Sequence, residues 1–197
     1  MTGLFGQDAY AVRFDWGPVG ATAVGAEVSV VVDVLSFTTS VTVAVERGMR
    51  VFPFAWKDSR AQEFAQSRDA VLAVGRLEAT RPGAVPAPSL SPAQLTSCPL
   101  VPRLVLPSPN GSSITTVLQD SRSTDDVFSP EARSAADLFV AVADAGRLDE
   151  SMHNCVGGRE LIAKGFVADV DVAAELDAST TVPVLVDGAF APIGQGE

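Results

Sequence analysis

Apolar runs typical of buried strands alternate along this chain with segments that have helical spacing. The strand-like runs are Val28–Val34, Arg50–Phe54, Val71–Val74, Leu104–Leu106 and Val182–Val186. The helix-like segments are Thr38–Arg47, Ser59–Ser67, Pro92–Leu95, Ser112–Leu118, Gly158–Lys164 and Val170–Leu176. This alternation predicts an α/β fold with a mainly parallel or mixed sheet and helices on both faces.

The clearest helix of the chain is predicted to begin at Ser129-Pro130. Ser129 is a favourable capping residue, and proline suits the first helical position because that residue has no N–H to satisfy. The pattern predicts that one apolar face of this helix packs on the core, and its members are Ala135, Leu138, Phe139 and Val142.

The segment after Asp33 has two interpretations. Thr39–Val45 is rich in β-branched residues and alternates like a strand. Gly48 is a plausible C-terminal cap, and Arg47 would lie in the last turn of a helix. We favour the helix, because a strand-loop-helix unit also accounts for the glycine.

The first candidate site lies where the Val28–Val34 run meets this helix. Asp33 is at the carboxyl end of the run, and Ser36, Thr38 and Thr39 follow it into the helix. A helix N-terminus offers unpaired N–H groups and a partial positive charge, which suit a phosphate or another oxyanion. The alternative is that these side chains only cap the helix.

The second candidate site is a similar loop after Leu104–Leu106, with the sequence Asn110-Gly111-Ser112. Asn-Gly is a strong turn dipeptide, so a turn without a ligand is the alternative interpretation. Both loops should lie at the carboxyl edge of the sheet, where α/β folds bind ligands. Together they predict a phosphoester site, with Asp33 as a metal ligand or nucleophile.

Composition narrows the choice of compartment and partner. The 197 residues are expected to form one domain spanning 1–197, and a net charge of −10 argues against nucleic acid or an anionic membrane as partner. Two cysteines in unrelated contexts, no visible signal peptide and no long apolar stretch predict a cytoplasmic protein. An acidic protein that handles a phosphate ester would need local screening of charge, and a divalent cation is the usual means.

Other polar residues carry weaker signals. Glu78 follows a predicted strand end and is either a second acidic ligand or a surface carboxylate. Adjacency of His153 and Cys155 in sequence does not make a nucleophile pair, because the two side chains must converge in space. Asp169 and Asp171 are expected to lie on a solvated helix face.

Several segments taken together resemble the 2-phosphosulfolactate phosphatase family, whose best-known members serve coenzyme M biosynthesis. The matching segments are Val-Val-Val-Asp33-Val-Leu-Ser36-Phe-Thr-Thr, Gly75-Arg-Leu-Glu78, Pro88-Ser-Leu-Ser-Pro92, Pro107-Ser-Pro-Asn110-Gly-Ser112, and the tail from Ser129-Pro-Glu-Ala to Ala-Asp169-Val-Asp. The resemblance covers most of the chain and is specific as a set.

The resemblance implies a magnesium-dependent phosphatase acting on phosphate esters of small 2-hydroxy acids. Asp33 would be the catalytic acid or Mg²⁺ ligand, and Glu78 is a further candidate metal ligand. The phosphate site would be formed by Ser36, Thr38, Thr39, Asn110, Gly111 and Ser112. Ser89 and Ser91 stand where the family places a loop close to the site. The alternative is a non-catalytic descendant that binds an anionic metabolite or a partner subunit.

The chain differs from the family in the connection 121–128, which is short. Relatives carry several more elements there, including acidic groups. We therefore expect weak magnesium affinity, on the order of millimolar without a phosphorylated ligand. Missing strands would also leave apolar surface uncovered, which favours a homodimer.

Overall fold

The computed structural model describes residues 6–25, 28–55, 59–84, 86–108, 110–111 and 128–193. Within these ranges the chain forms nine helices and one five-stranded mixed sheet. The predicted α/β fold class is confirmed. The predicted helix Ser112–Leu118 lies outside the described residues.

The elements follow one another as helix-rich segments around short strands. In chain order they are α1 (Gly17–Val24), α2 (Phe37–Glu46), β1 (Arg50–Phe54), α3 (Ser59–Ser67), β2 (Val71–Leu72), α4 (Arg76–Ala79), α5 (Pro92–Leu95), β3 (Arg103–Pro107), α6 (Pro130–Asp144), α7 (Leu148–Asn154), α8 (Val156–Ala163), α9 (Val167–Ala174), β4 (Pro183–Val186) and β5 (Ala189–Pro192). The helical interpretation of the β-branched segment is correct: α2 ends before Gly48, whose φ of 86° suits glycine.

The strand order in the sheet is β2-β3-β1-β5-β4. β1 and β2 both run parallel to β3, with Val51 and Val71 each opposite Leu104. β5 runs antiparallel to β1 and to β4, so the sheet closes with a hairpin at one side. Because these three strands are parallel, the carboxyl ends of β1, β2 and β3 lie at one edge of the sheet.

Helices cover both faces of the parallel half. On one face, α2 and α5 contribute to a buried cluster that contains Phe37, Leu95 and Leu104. On the other, α3 packs over Phe52 and Val105. Alternate residues of β3 therefore enter opposite cores, as expected of a strand that is buried on both faces.

The prediction of a buried strand at Val28–Val34 is wrong. Residues 29–33 are assigned to no strand, and the exposed fractions of Val28, Val30 and Val32 are 76%, 81% and 67%. An apolar run becomes a strand only when a neighbour completes its hydrogen bonds. No strand in the described part of the chain pairs with it.

The start of α6 is as predicted, but its predicted apolar face is not in the core. The hydroxyl of Ser129 accepts a hydrogen bond from the N–H of Ala132 at 3.1 Å, and Pro130 is the first helical residue. Leu138 and Phe139 are nevertheless 67% and 49% exposed, and Ala132 is the helix's only buried residue. No described element covers this face.

Two matched leucine truncations should separate the core from this exposed face. Leu104→Ala should lower the free energy of unfolding by about 2–5 kcal/mol, because Leu104 is fully buried between β1 and β2. Leu138→Ala should change it by about 0.5 kcal/mol or less, because the side chain is exposed. Urea unfolding measures both, and equal losses would contradict the exposure of α6.

Candidate active site

The candidate site lies at the carboxyl edge of the parallel strands. The loop before α2, the turn into α4 after β2, and the end of β3 meet there and line a cleft of about 520 Å³. Leu35, Leu90 and Phe166 give the cleft an apolar lining. Its charged lining residues are three cations and two carboxylates: Arg76, Arg81, Lys164, Glu78 and Glu160. This is the edge at which open α/β sheets bind ligands.

Asp33 lies shortly before α2 and joins the two candidate loops. Its carboxylate accepts hydrogen bonds from the N–H of Gly111 at 3.1 Å and from the N–H of Phe37. Burial raises the pKa of the Asp33 carboxyl above its ordinary value of 3.8, and these N–H groups and the nearby charge of Arg76 only partly oppose the rise. Asp33 is thus a partly desolvated carboxylate beside an arginine.

The hydroxyls of the first loop take part in local hydrogen bonds. Thr38 Oγ1 accepts from the N–H of Asp33 at 3.2 Å, and Thr39 donates to the carbonyl of Val34 at 2.8 Å. The buried Ser36 hydroxyl donates to the carbonyl of Leu90 and accepts from the guanidinium of Arg76. These bonds shape the loop, and phosphate binding by the three hydroxyls stays a prediction.

The second loop approaches α2 closely. A Cβ atom placed on Gly111 would lie only 2.2 Å from Cδ1 and 2.7 Å from Cβ of Phe37, so the position requires glycine. Gly111 is buried and Asn110 is exposed. Ser112 lies outside the described residues.

A buried ion pair that the sequence did not reveal lies beside Asp33. Nε of Arg76 donates to Oδ2 of Asp169 at 2.8 Å, and the Asp169 side chain is only 1% exposed. The expectation of a solvated Asp169 is therefore wrong. Helical spacing in α9 shows two aspartates among valines and alanines, and it does not indicate which of the two faces inward.

Ser89 and Ser91 lie on the loop that receives Asp169. The Ser91 hydroxyl donates to Oδ1 of Asp169 at 2.5 Å and accepts from the N–H of Gln94, which caps α5. Ser89 Oγ accepts from the N–H of Ser91 and contacts the side chain of Gln94. Both serines are buried. Their contacts orient this loop beside Asp169, the partner of Arg76.

Glu78 lies at the cleft and is exposed. Its Oε2 accepts from the N–H of Gly75 at 3.4 Å, which caps α4. Its carboxylate therefore already has a local partner. A role as a second metal ligand beside Asp33 stays a prediction.

A cluster of side chains that could hold a metal ion lies on α7 and α9. Among the described residues, Asp149, His153 and Asp171 are the one set of three whose ligand atoms approach within 4.8 Å of one another. Nε2 of His153 is 3.0 Å from Asp171 Oδ1, and the carbonyl and carboxylate of Asp149, with Asp171, raise the pKa of His153. None of the three lines the cleft.

Comparisons with known proteins do not assign the chain to a family. No protein-family model matches the chain, and the search of curated proteins also finds no match. In the part of the chain that the structure describes, every helix is too short or too polar to cross a membrane.

The environment of Asp33 predicts a pH-dependent effect of Asp33→Asn. A raised native pKa means that the contribution of Asp33 to stability is present below its unfolded pKa and is lost as pH rises through the native pKa. As pH rises from 4 to 7, the free energy of unfolding of the variant should therefore increase relative to that of wild type. Urea unfolding at both pH values measures this, with exposed Asp137→Asn as control; a constant difference would contradict it.

Proposed function

We propose that this chain binds a phosphate ester of a small 2-hydroxy acid in the cleft and hydrolyses it with the help of Mg²⁺. The observation that carries the proposal is that Asp33, a partly desolvated carboxylate, lies within electrostatic range of the guanidinium of Arg76. Arg76 lines the cleft, and Asp33 is outside its lining. The resemblance to 2-phosphosulfolactate phosphatases at the same loops supports this reaction class.

Arg76 is the best candidate to contact the phosphoryl group. A guanidinium has five N–H donors, and Asp169 and Ser36 occupy only part of them. Asp169 and the ring of Phe166, whose centroid is 5.8 Å from the arginine Cζ, fix its direction. Arginine held in this way suits bidentate contact with phosphate oxygens.

The donor set near Asp33 fits Mg²⁺ in part. Carboxylate oxygen is a hard ligand, and Mg²⁺ commonly binds one or two carboxylates and completes its shell with water and substrate phosphate. Asp33 is the first candidate ligand, and Glu78, which lines the cleft, is the second. Bound there, the ion would offset negative charge on the phosphoryl oxygens.

The size and charge of the cleft suit a small anionic ester. Its volume of about 520 Å³ lies in the range of small-molecule sites. Arg81 and Lys164 could contact the carboxylate of a 2-hydroxy acid, although Lys164 also pairs with Glu160 at 2.5 Å.

A non-catalytic function is the second candidate. Asp33 already accepts two amide N–H groups and Glu78 accepts one, so neither carboxylate is free of a protein partner. Such an arrangement favours binding of an anionic metabolite over firm retention of a metal ion. Both candidate functions predict ligand binding, but only the phosphatase predicts turnover.

The cysteines support a cytoplasmic location as part of this proposal. Cys98 is buried and Cys155 is exposed, and neither forms a disulfide. Free thiols of this kind are typical of proteins in a reducing compartment.

Phosphate release in the presence of Mg²⁺ tests the proposal. Wild type should release phosphate from 2-phospholactate with magnesium and not with EDTA. Asp33→Asn should lower kcat by a factor on the order of 100 to 1000, and Arg76→Gln should mainly raise KM. Asp137→Asn is the charge-matched control. Ligand-dependent stabilisation without release would favour the non-catalytic candidate.

We also propose that two copies associate through the exposed segment 28–32. Its valines are exposed, and its backbone has no strand neighbour among the described residues, so a second copy could cover it. Sedimentation velocity should show a dimer for wild type and a monomer for Val30→Lys. Val19→Lys, at an equally exposed position on α1, should stay dimeric. A monomeric wild type would contradict this.

A further inference from the structure

Three arginines gather at the opposite, amino edge of the sheet. Arg50 and Arg103 are the first residues of β1 and β3, and the parallel register pairs them directly. Paired residues of neighbouring strands project from the same face. Arg68 follows the end of α3, which packs on that face. We call Arg50, Arg68 and Arg103 the arginine cluster.

Aromatic rings hold two of these side chains near each other. Cζ of Arg103 is 5.0 Å from the centroid of the Phe52 ring, and Cζ of Arg68 is 5.7 Å from the same centroid. Arg68 also lies 5.3 Å from the centroid of Phe64. Contact with a ring face stabilises a guanidinium and leaves its outer N–H groups open to a ligand.

The positive charge of the arginine cluster has no acidic partner among the described residues. Within the described ranges no carboxylate forms an ion pair with any of the three, although the protein carries a net charge of −10. The Nε atoms of Arg50 and Arg103 are buried and have no hydrogen-bond partner. Like charges that lie directly opposite each other are destabilising, and the buried unsatisfied donors add to the cost. An anion at the outer N–H groups would relieve the repulsion between the charges.

We propose that the arginine cluster binds a phosphate group, either free inorganic phosphate or the phosphate of a small metabolite. Several guanidiniums at one edge of the sheet suit the charge and the acceptor geometry of a phosphate dianion. The negative charge of the whole protein favours a small ligand over a nucleic acid. The site is separate from the cleft, because it lies at the other end of the same strands.

Phosphate-dependent stability tests this site in the whole protein. Thermal unfolding is followed in EDTA at constant ionic strength, with chloride replaced stepwise by inorganic phosphate or by glycerol 1-phosphate. Wild type and Arg133→Gln should be stabilised equally. Arg133 is the matched control, because it also stacks on a ring, 4.5 Å from the centroid of Phe128, away from the arginine cluster. Similar midpoints for both ligands identify free phosphate as sufficient, and a response to the ester alone identifies a metabolite.

Arg50→Gln should weaken this phosphate response about tenfold in midpoint concentration, as expected for loss of one charged hydrogen-bond donor. Without phosphate the variant should be at least as stable as wild type, because it relieves repulsion from Arg103. Arg68→Gln, at an exposed position, provides a second variant that keeps the strand pair intact.

Two results would overturn the assignment. One is an equal phosphate response in Arg50→Gln, Arg68→Gln and Arg133→Gln; the other is the absence of any response in wild type. Arg76→Gln separates this site from the cleft, since it should keep the response of the arginine cluster while it raises the KM of hydrolysis. Failure of the arginine cluster would leave Arg76-dependent hydrolysis unaffected, and the reverse also holds.

Discussion

The ion pair between Arg76 and Asp169 joins parts of the chain that are far apart in sequence. Asp169 comes from α9, Arg76 begins α4, and Ser91 and the N–H of Ala93 bring the α5 loop to the same carboxylate. A buried charge is costly unless its hydrogen bonds are complete, and three donors meet that requirement here. Loss of either partner would leave an uncompensated charge, which typically costs about 3–5 kcal/mol.

This pair also explains how a short sheet can support a defined cleft. Arg76 reaches from the end of β2 to Ser36, in the same loop as Asp33. The helices α8 and α9 close the other side through Leu161 and Phe166. The direction of the arginine is therefore set by packing in the C-terminal helices, while its charge acts at the loop before α2.

The sequence predicted those features that depend on local chemistry and on the geometry of parallel sheets. The cap of α6 follows from Ser129-Pro130. The contact between Asp33 and Gly111 agrees with the expected meeting of the two loops, but the expected reason, a strand that ends at Asp33, is wrong because residues 29–33 are in no strand. Features that depend on a distant partner were not predictable. The run at Val28 needed a neighbouring strand, and the inward direction of Asp169 depended on Arg76.

The close approach of Gly111 to Phe37 makes the hydrophobic core part of the site. Phe37 is 1% exposed and packs with Leu104 and Leu106, while its own N–H and that of Gly111 both reach the carboxylate of Asp33. The Phe37 ring fills the space that a side chain at position 111 would need. Any change in the size of the aromatic residue would therefore shift the second loop, and the charge at Asp33 would respond to a substitution that never touches a polar atom.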